Sequence, residues 1–113
     1  MFDDLYDGLS LLWSRRWPVA DGKITAVDVE RFGDDRSIAR LAVAYEFEVP
    51  TDGPYTGESF WRPVFFSVRR VAAARRKIHL RQPVRVRYRP GDPSVNTLDE
   101  GVAGLLKRAP RRV

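Results

Sequence analysis

The run Gln82–Leu98, Q-P-V-R-V-R-Y-R-P-G-D-P-S-V-N-T-L, constrains the fold more tightly than any other stretch of the chain. Val84, Val86 and Tyr88 alternate with Arg85, Arg87 and Arg89. Successive side chains of a strand point to opposite faces, so the apolar set lies on one face and three guanidiniums on the other. Such a segment needs a sheet with one dry and one wet face, the usual habit of antiparallel sheets. Pro90-Gly91-Asp92-Pro93 is expected to end the pairing, because neither proline can donate to a ladder and Gly91 permits a positive φ. Val95–Leu98 then reads as a short extension.

The rest of the chain extends this pattern. Ile38–Val49 alternates cleanly, with Leu41, Val43, Tyr45, Phe47 and Val49 on one face and Arg40, Ala42, Ala44, Glu46 and Glu48 on the other. Asp52-Gly53 signals a hairpin turn into a return strand, Tyr55–Arg62. In Lys23–Phe32 the apolar phase switches between Ala26 and Val27, which predicts a bulge near Ala26. Two segments have helical spacing instead. Phe2, Leu5, Tyr6, Leu9, Leu12 and Trp13 form one stripe of an amphipathic helix over 2–16, ended by Trp17-Pro18. After Ser67, a predicted cap, Val68, Val71, Ala72 and Ile78 share one side of a second helix, with Arg69, Arg70, Arg76 and Lys77 opposite. Arg75 falls on the apolar side and must snorkel or find a carboxylate. Beyond Asp99, a helical turn around Val102, Leu105 and Leu106 leads into a basic tail, 99–113. The expected fold is mainly β: one domain over 1–113, a small antiparallel barrel or sandwich of about five strands, with an N-terminal amphipathic helix and one helix inserted before the V-x-V-x-Y strand.

Composition removes several classes of function. The chain of 113 residues has no cysteine and one histidine, His79, so disulfides, thiolate chemistry and multi-histidine metal sites are excluded. No cofactor is expected. Without a defined acid or nucleophile beside it, His79 reads as structural, and the sequence points away from an enzyme. No apolar run is long enough to span a bilayer and Met1-Phe2-Asp3-Asp4 is acidic where an export signal is basic, so a cytoplasmic location is expected. Charge is uneven: residues 1–58 hold 6 basic and 12 acidic side chains, whereas residues 59–113 hold 14 and 3. The acidic half is therefore expected to lie beside the basic half, with Glu46 and Glu48 as cross-strand partners of Arg85, Arg87 and Arg89.

Several features resemble a bacterial family, domain of unknown function 3592, over residues 17–98. They are Trp17-Pro18, Gly22-Lys23-Ile24, Tyr45-Glu46-Phe47, Tyr55-Thr56-Gly57 and the V-x-V-x-Y-x-P-x-x-P run from Val84 to Pro93 with Leu98 after it. Gln82-Pro83 stands where members often have glycine. Members also often carry a membrane-spanning helix, where this chain has the amphipathic residues 2–16. The resemblance carries no catalytic residue over.

Two functions remain. The favoured one is a protein-interaction or accessory module, with an unknown protein partner or self-association through Leu5, Leu9, Leu12 and Trp13. The alternative is nucleic-acid or polyanion binding through Arg69, Arg70, Arg76, Lys77, Arg85, Arg87 and Arg89, with Tyr55, Phe60 and Trp61 as stacking platforms. A peripheral membrane contact of residues 2–16 ranks below both, because their polar face opens with aspartates rather than lysine or arginine.

Overall fold

The alternating segments pair into one sheet. In the computed structural model, which describes residues 16–50 and 52–107, the strands are β1 (Val19–Phe32), β2 (Ile38–Val49), β3 (Asp52–Trp61), β4 (Pro83–Arg89) and β5 (Asp92–Leu98). Helix α1 (Ser67–Arg75) precedes β4, and α2 (Gly101–Lys107) follows β5. All pairings are antiparallel and the sheet order is β3-β2-β1-β4-β5. Of the residues read as the N-terminal helix, 2–15 lie outside the described residues, and so does the tail beyond Lys107.

The sheet curls into a nearly closed barrel, and the register of β1 provides the bend. Ile24 pairs with Tyr45 and Ala26 with Ala44, so Thr25 is the extra residue of a bulge. Ile24 and Val27, three positions apart, therefore both point inward, at 0% and 7% exposure. Gly22 lets three strands approach closely here: it pairs with Phe47 on one side and Val84 on the other, and a Cβ would lie 2.5 Å from the Glu46 carbonyl oxygen. The free edges, β3 and β5, meet through side chains. The Tyr45 hydroxyl donates to Asn96 Oδ1 at 2.7 Å, and Asn96 Nδ2 donates to the Thr56 carbonyl at 3.2 Å. Gly57, opposite Tyr45, must lack a Cβ, which would collide with Asn96 Oδ1 and the Tyr45 ring. The glycines of the Gly22-Lys23-Ile24 and Tyr55-Thr56-Gly57 motifs thus serve the closure of the barrel.

The core is built from Ile24, Leu41, Val43, Tyr45, Phe47, Val84, Val86 and Leu98 of the sheet, with Val71, Ala74 and Ile78 from α1 and its exit and Val102 from α2. The buried face of α1 is rotated from the expected stripe: Ala74 is buried and Ala72 exposed. Arg75, next to that face, finds a carbonyl rather than a carboxylate, its Nε donating to Val27 O at 3.2 Å.

Three other expectations are corrected. Pro90–Pro93 does not end the pairing but turns β4 into β5, which begins at Asp92. Pro93 is accommodated because it falls in the irregularity between the Arg89–Asp92 and Tyr88–Asn96 pairs, on an edge strand. Ser67 does not cap α1; the cap position is Phe66, with no side-chain hydrogen bond. Ser67 instead ties the helix to β2, its Oγ accepting the Ala39 N–H at 3.1 Å and donating to the Ser37 carbonyl at 3.3 Å. Finally, β1 lies between β2 and β4, so Glu46 and Glu48 have no cross-strand contact with Arg85, Arg87 or Arg89.

Candidate docking surface

Three ion pairs among the described residues each join side chains of the same half of the sequence. Glu46 meets Lys23 at 3.4 Å, and Glu30 accepts from Arg40 Nε at 2.6 Å. Arg87 forms an ion pair with Asp99 and donates to the Trp17 carbonyl at 3.3 Å, which pins the start of β1 to β4. Asp21, opposite Arg85 across β1 and β4, carries the acidic-beside-basic expectation by its register. Of the seven predicted polyanion-binding residues, Arg69, Arg70, Arg76, Lys77, Arg85 and Arg89 are exposed and Arg87 is half-buried in its ion pair. They form a helix group around α1 and a strand group on β4 rather than one constellation.

The aromatic platforms are similarly divided. Tyr55 and Trp61 face inward and pack against the core, Tyr55 stacking on Phe47 with ring centroids 5.9 Å apart. Tyr55 also donates to Asp52, which raises the pKa of its phenol. Only Phe60 faces outward, and its ring is covered by the Arg40 guanidinium 3.9 Å from the centroid.

A different surface emerges at the end of the barrel where β1 turns into β2. Phe32 and Ile38, paired across that turn, are each 38% exposed, and Arg40 lies between the rings of Phe32 and Phe60. Beside them stands the loop between β3 and α1. Its Val64, Phe65 and Phe66 are 86%, 70% and 78% exposed, although they are three consecutive large apolar residues. The loop is held at both ends, by buried Pro63 and by Ser67 on its two partners in Ser37 and Ala39. Phe66 adopts φ 56°, ψ 44°, the left-handed region that a bulky L-residue enters at a cost of about 1–2 kcal/mol. Its carbonyl accepts the first helical hydrogen bond, from Arg70 N–H at 2.9 Å. Arg69 and Arg70 occupy the first turn of α1, where the helix dipole favours carboxylates, and no acidic residue is present there.

Three local preferences are therefore violated together: apolar side chains in water, an aromatic residue in left-handed conformation, and arginines at the positive end of a helix. Such inconsistency concentrates at sites retained for function rather than stability. Val64–Phe66 fall between the elements read from the sequence. The signal available was that these residues belong to neither the period-2 pattern before Pro63 nor the helical stripe after Ser67.

A concavity of about 530 Å³ lies between β1, β4, the end of β5 and the start of α2. Val84, Leu98 and Leu105 form its apolar floor, with His79, Asp21 and Arg85 on the rim. Its Asp99 is committed to Arg87. Among the described residues no three His, Asp or Glu side chains converge as a metal ion requires, and no helix is long and apolar enough to cross a membrane. No curated protein matches the chain, and no solved structure does. The model of the family described as domain of unknown function (DUF3592) matches residues 20–103, the sheet from its second residue onward with the closing glycines and the start of α2, and the chain belongs to that family.

Proposed function

We propose that this domain is a non-enzymatic interaction module, and that the Val64–Phe66 tip, with Phe32 and Ile38 beside it, docks an acidic amphipathic segment of a protein partner. The observation that carries this reading is the 70–86% exposure of three consecutive large apolar side chains on a loop fixed at both ends. Apolar surface held in water marks an interaction site, and a fixed presentation lowers the entropic cost of binding. Arg69 and Arg70 at its edge favour a partner that brings carboxylates along with apolar side chains.

A native pulldown with the full chain, with and without nuclease, tests this when wild type is compared with F65S/F66S. A partner that resists nuclease and is lost in the variant supports the reading. Capture that the variant leaves unchanged overturns it, as does flotation with phosphatidylserine vesicles that only the wild type shows.

A second reading, polyanion binding, is favoured by the exposure of Arg69, Arg70, Arg76 and Lys77 around α1. It expects binding of single-stranded or duplex nucleic acid at low ionic strength, weakening steeply with salt, and lost when all four become glutamine. Absence of binding at low salt eliminates it.

A further inference from the structure

The N-terminal residues of this chain have the chemistry that the tip requires. Residues 1–14 contain Asp3, Asp4 and Asp7 and no basic side chain, interleaved with Phe2, Leu5, Leu9, Leu12 and Trp13. The tip offers Val64, Phe65 and Phe66 with Arg69 and Arg70 in the next turn. Apolar side chains can pack on apolar side chains while carboxylates meet guanidiniums, a complementarity that sets both register and partner choice. We infer that the chain self-associates, the N-terminal segment of one protomer docking on the Val64–Phe66 tip of a second copy. This rests on the reading of the tip as a docking surface and names its occupant.

The topology argues for a second copy rather than the same one. Trp17 and Pro18 are held against β4, their carbonyls accepting from Arg87 and from the Tyr88 N–H. Strand β1 then carries the chain over 14 residues to Phe32, beside the tip. At about 3.3 Å per residue such a strand spans roughly 45 Å when straight. The helical spacing read for 2–16 would shorten the segment to a rise of about 1.5 Å per residue, roughly 20 Å in all, too short to return along β1 to the tip of its own protomer. A reciprocal exchange between two copies uses one surface pair twice, as a closed two-fold dimer requires.

Light scattering and sedimentation equilibrium on the full chain test the exchange. Wild type should be dimeric, and both F65S/F66S and L5S/L9S/L12S monomeric. Mixing these two variants should restore a one-to-one complex, because the first keeps its segment and the second its tip. Charge reversal provides an arm that leaves the apolar contacts in place. R69E/R70E alone and D3K/D4K/D7K alone should each weaken the dimer by about tenfold or more, and their combination should recover most of that loss. A wild-type chain that is monomeric at high concentration overturns the inference, as does a dimer that both apolar variants leave intact. In either case, loss of another protein's capture by F65S/F66S would still support the docking reading, so the two failures are distinguishable.

Discussion

Phe66 offers a direct test of the claim that the tip is not kept for stability. Most positions prefer alanine to glycine by about 0.5–1 kcal/mol, because glycine loses more backbone entropy on folding. At φ 56°, ψ 44° the order should reverse, since an L-side chain costs about 1–2 kcal/mol there and glycine costs nothing. The net expectation is that F66G exceeds F66A in stability by about 0.5–1 kcal/mol. For a domain of this length that separates their melting midpoints by a few degrees, about 4 °C per kcal/mol. Against wild type, both variants lose only the fifth of Phe66 that is sheltered, since 78% of it is exposed. That shelter amounts to roughly 1 kcal/mol at most, for an aromatic residue at about 25 cal/mol per Å². F66G should therefore fold about as stably as wild type while losing the docking contact. Guanidinium melts of the three proteins measure these stabilities. If F66A equals or exceeds F66G, the strain argument is wrong. A loss well above 1 kcal/mol in F66G would show that the ring supports the fold.

The seam of the barrel should be intolerant at Gly57: G57A should cost about 2 kcal/mol or more in a urea melt, because the new methyl group must displace Asn96 or the Tyr45 ring, and a loss under about 0.5 kcal/mol would refute the closure account. Arg85 and Arg87 share one outward face of β4 but not one fate. R87A should lose about 1–3 kcal/mol as Asp99 and the Trp17 carbonyl lose their partner, whereas exposed R85A should stay within about 0.5 kcal/mol of wild type. Burial pushes the Tyr45 phenol from its ordinary 10 up to about 12. The folded state therefore holds that proton more tightly than the unfolded chain, so this contribution is intact below pH 10 and is lost as the pH rises towards 12, by up to about 3 kcal/mol. Y45F should cost about 1–2 kcal/mol at neutral pH, by removing the hydrogen bond to Asn96, and should flatten the stability curve above pH 10. An unchanged alkaline slope in Y45F would assign that slope to other groups.

The strands were legible because period-2 alternation is a local property. Leu41, Val43, Tyr45 and Phe47 are all at most 2% exposed, and even the bulge could be placed, since a phase switch within one strand has one simple geometric remedy. Which strands become neighbours is not local. Alternation marks the inward face of β2 and β4 alike but does not state that β1 lies between them, so Glu46 was assigned to arginines two strands away instead of to Lys23 on the neighbouring strand. Pro93 misled for a related reason. Proline forbids a ladder bond only where one is asked for, and only the register shows that none is asked for at that position.

The proposed docking surface was obscured by the same rule that revealed the core. Hydrophobicity says that a side chain gains from leaving water, but not whether its own fold or another protein removes it. At the start of α1 the two outcomes lie close together: Val71 is fully buried, while Phe66, five residues earlier and larger, is 78% exposed. What separates them is the backbone. The helical spacing from Val71 to Ala74 and Ile78 turns these side chains onto the sheet, whereas Phe66 precedes the helix in a left-handed conformation that, with Ser67 fixed on Ser37 and Ala39, holds its ring away from the sheet. A glycine at that position would give the same chain path without strain. An exposed aromatic residue there gains no burial of its own to offset that strain. A second surface that covers the ring would supply the burial, and the arginines one turn later restrict that surface to one that brings acid.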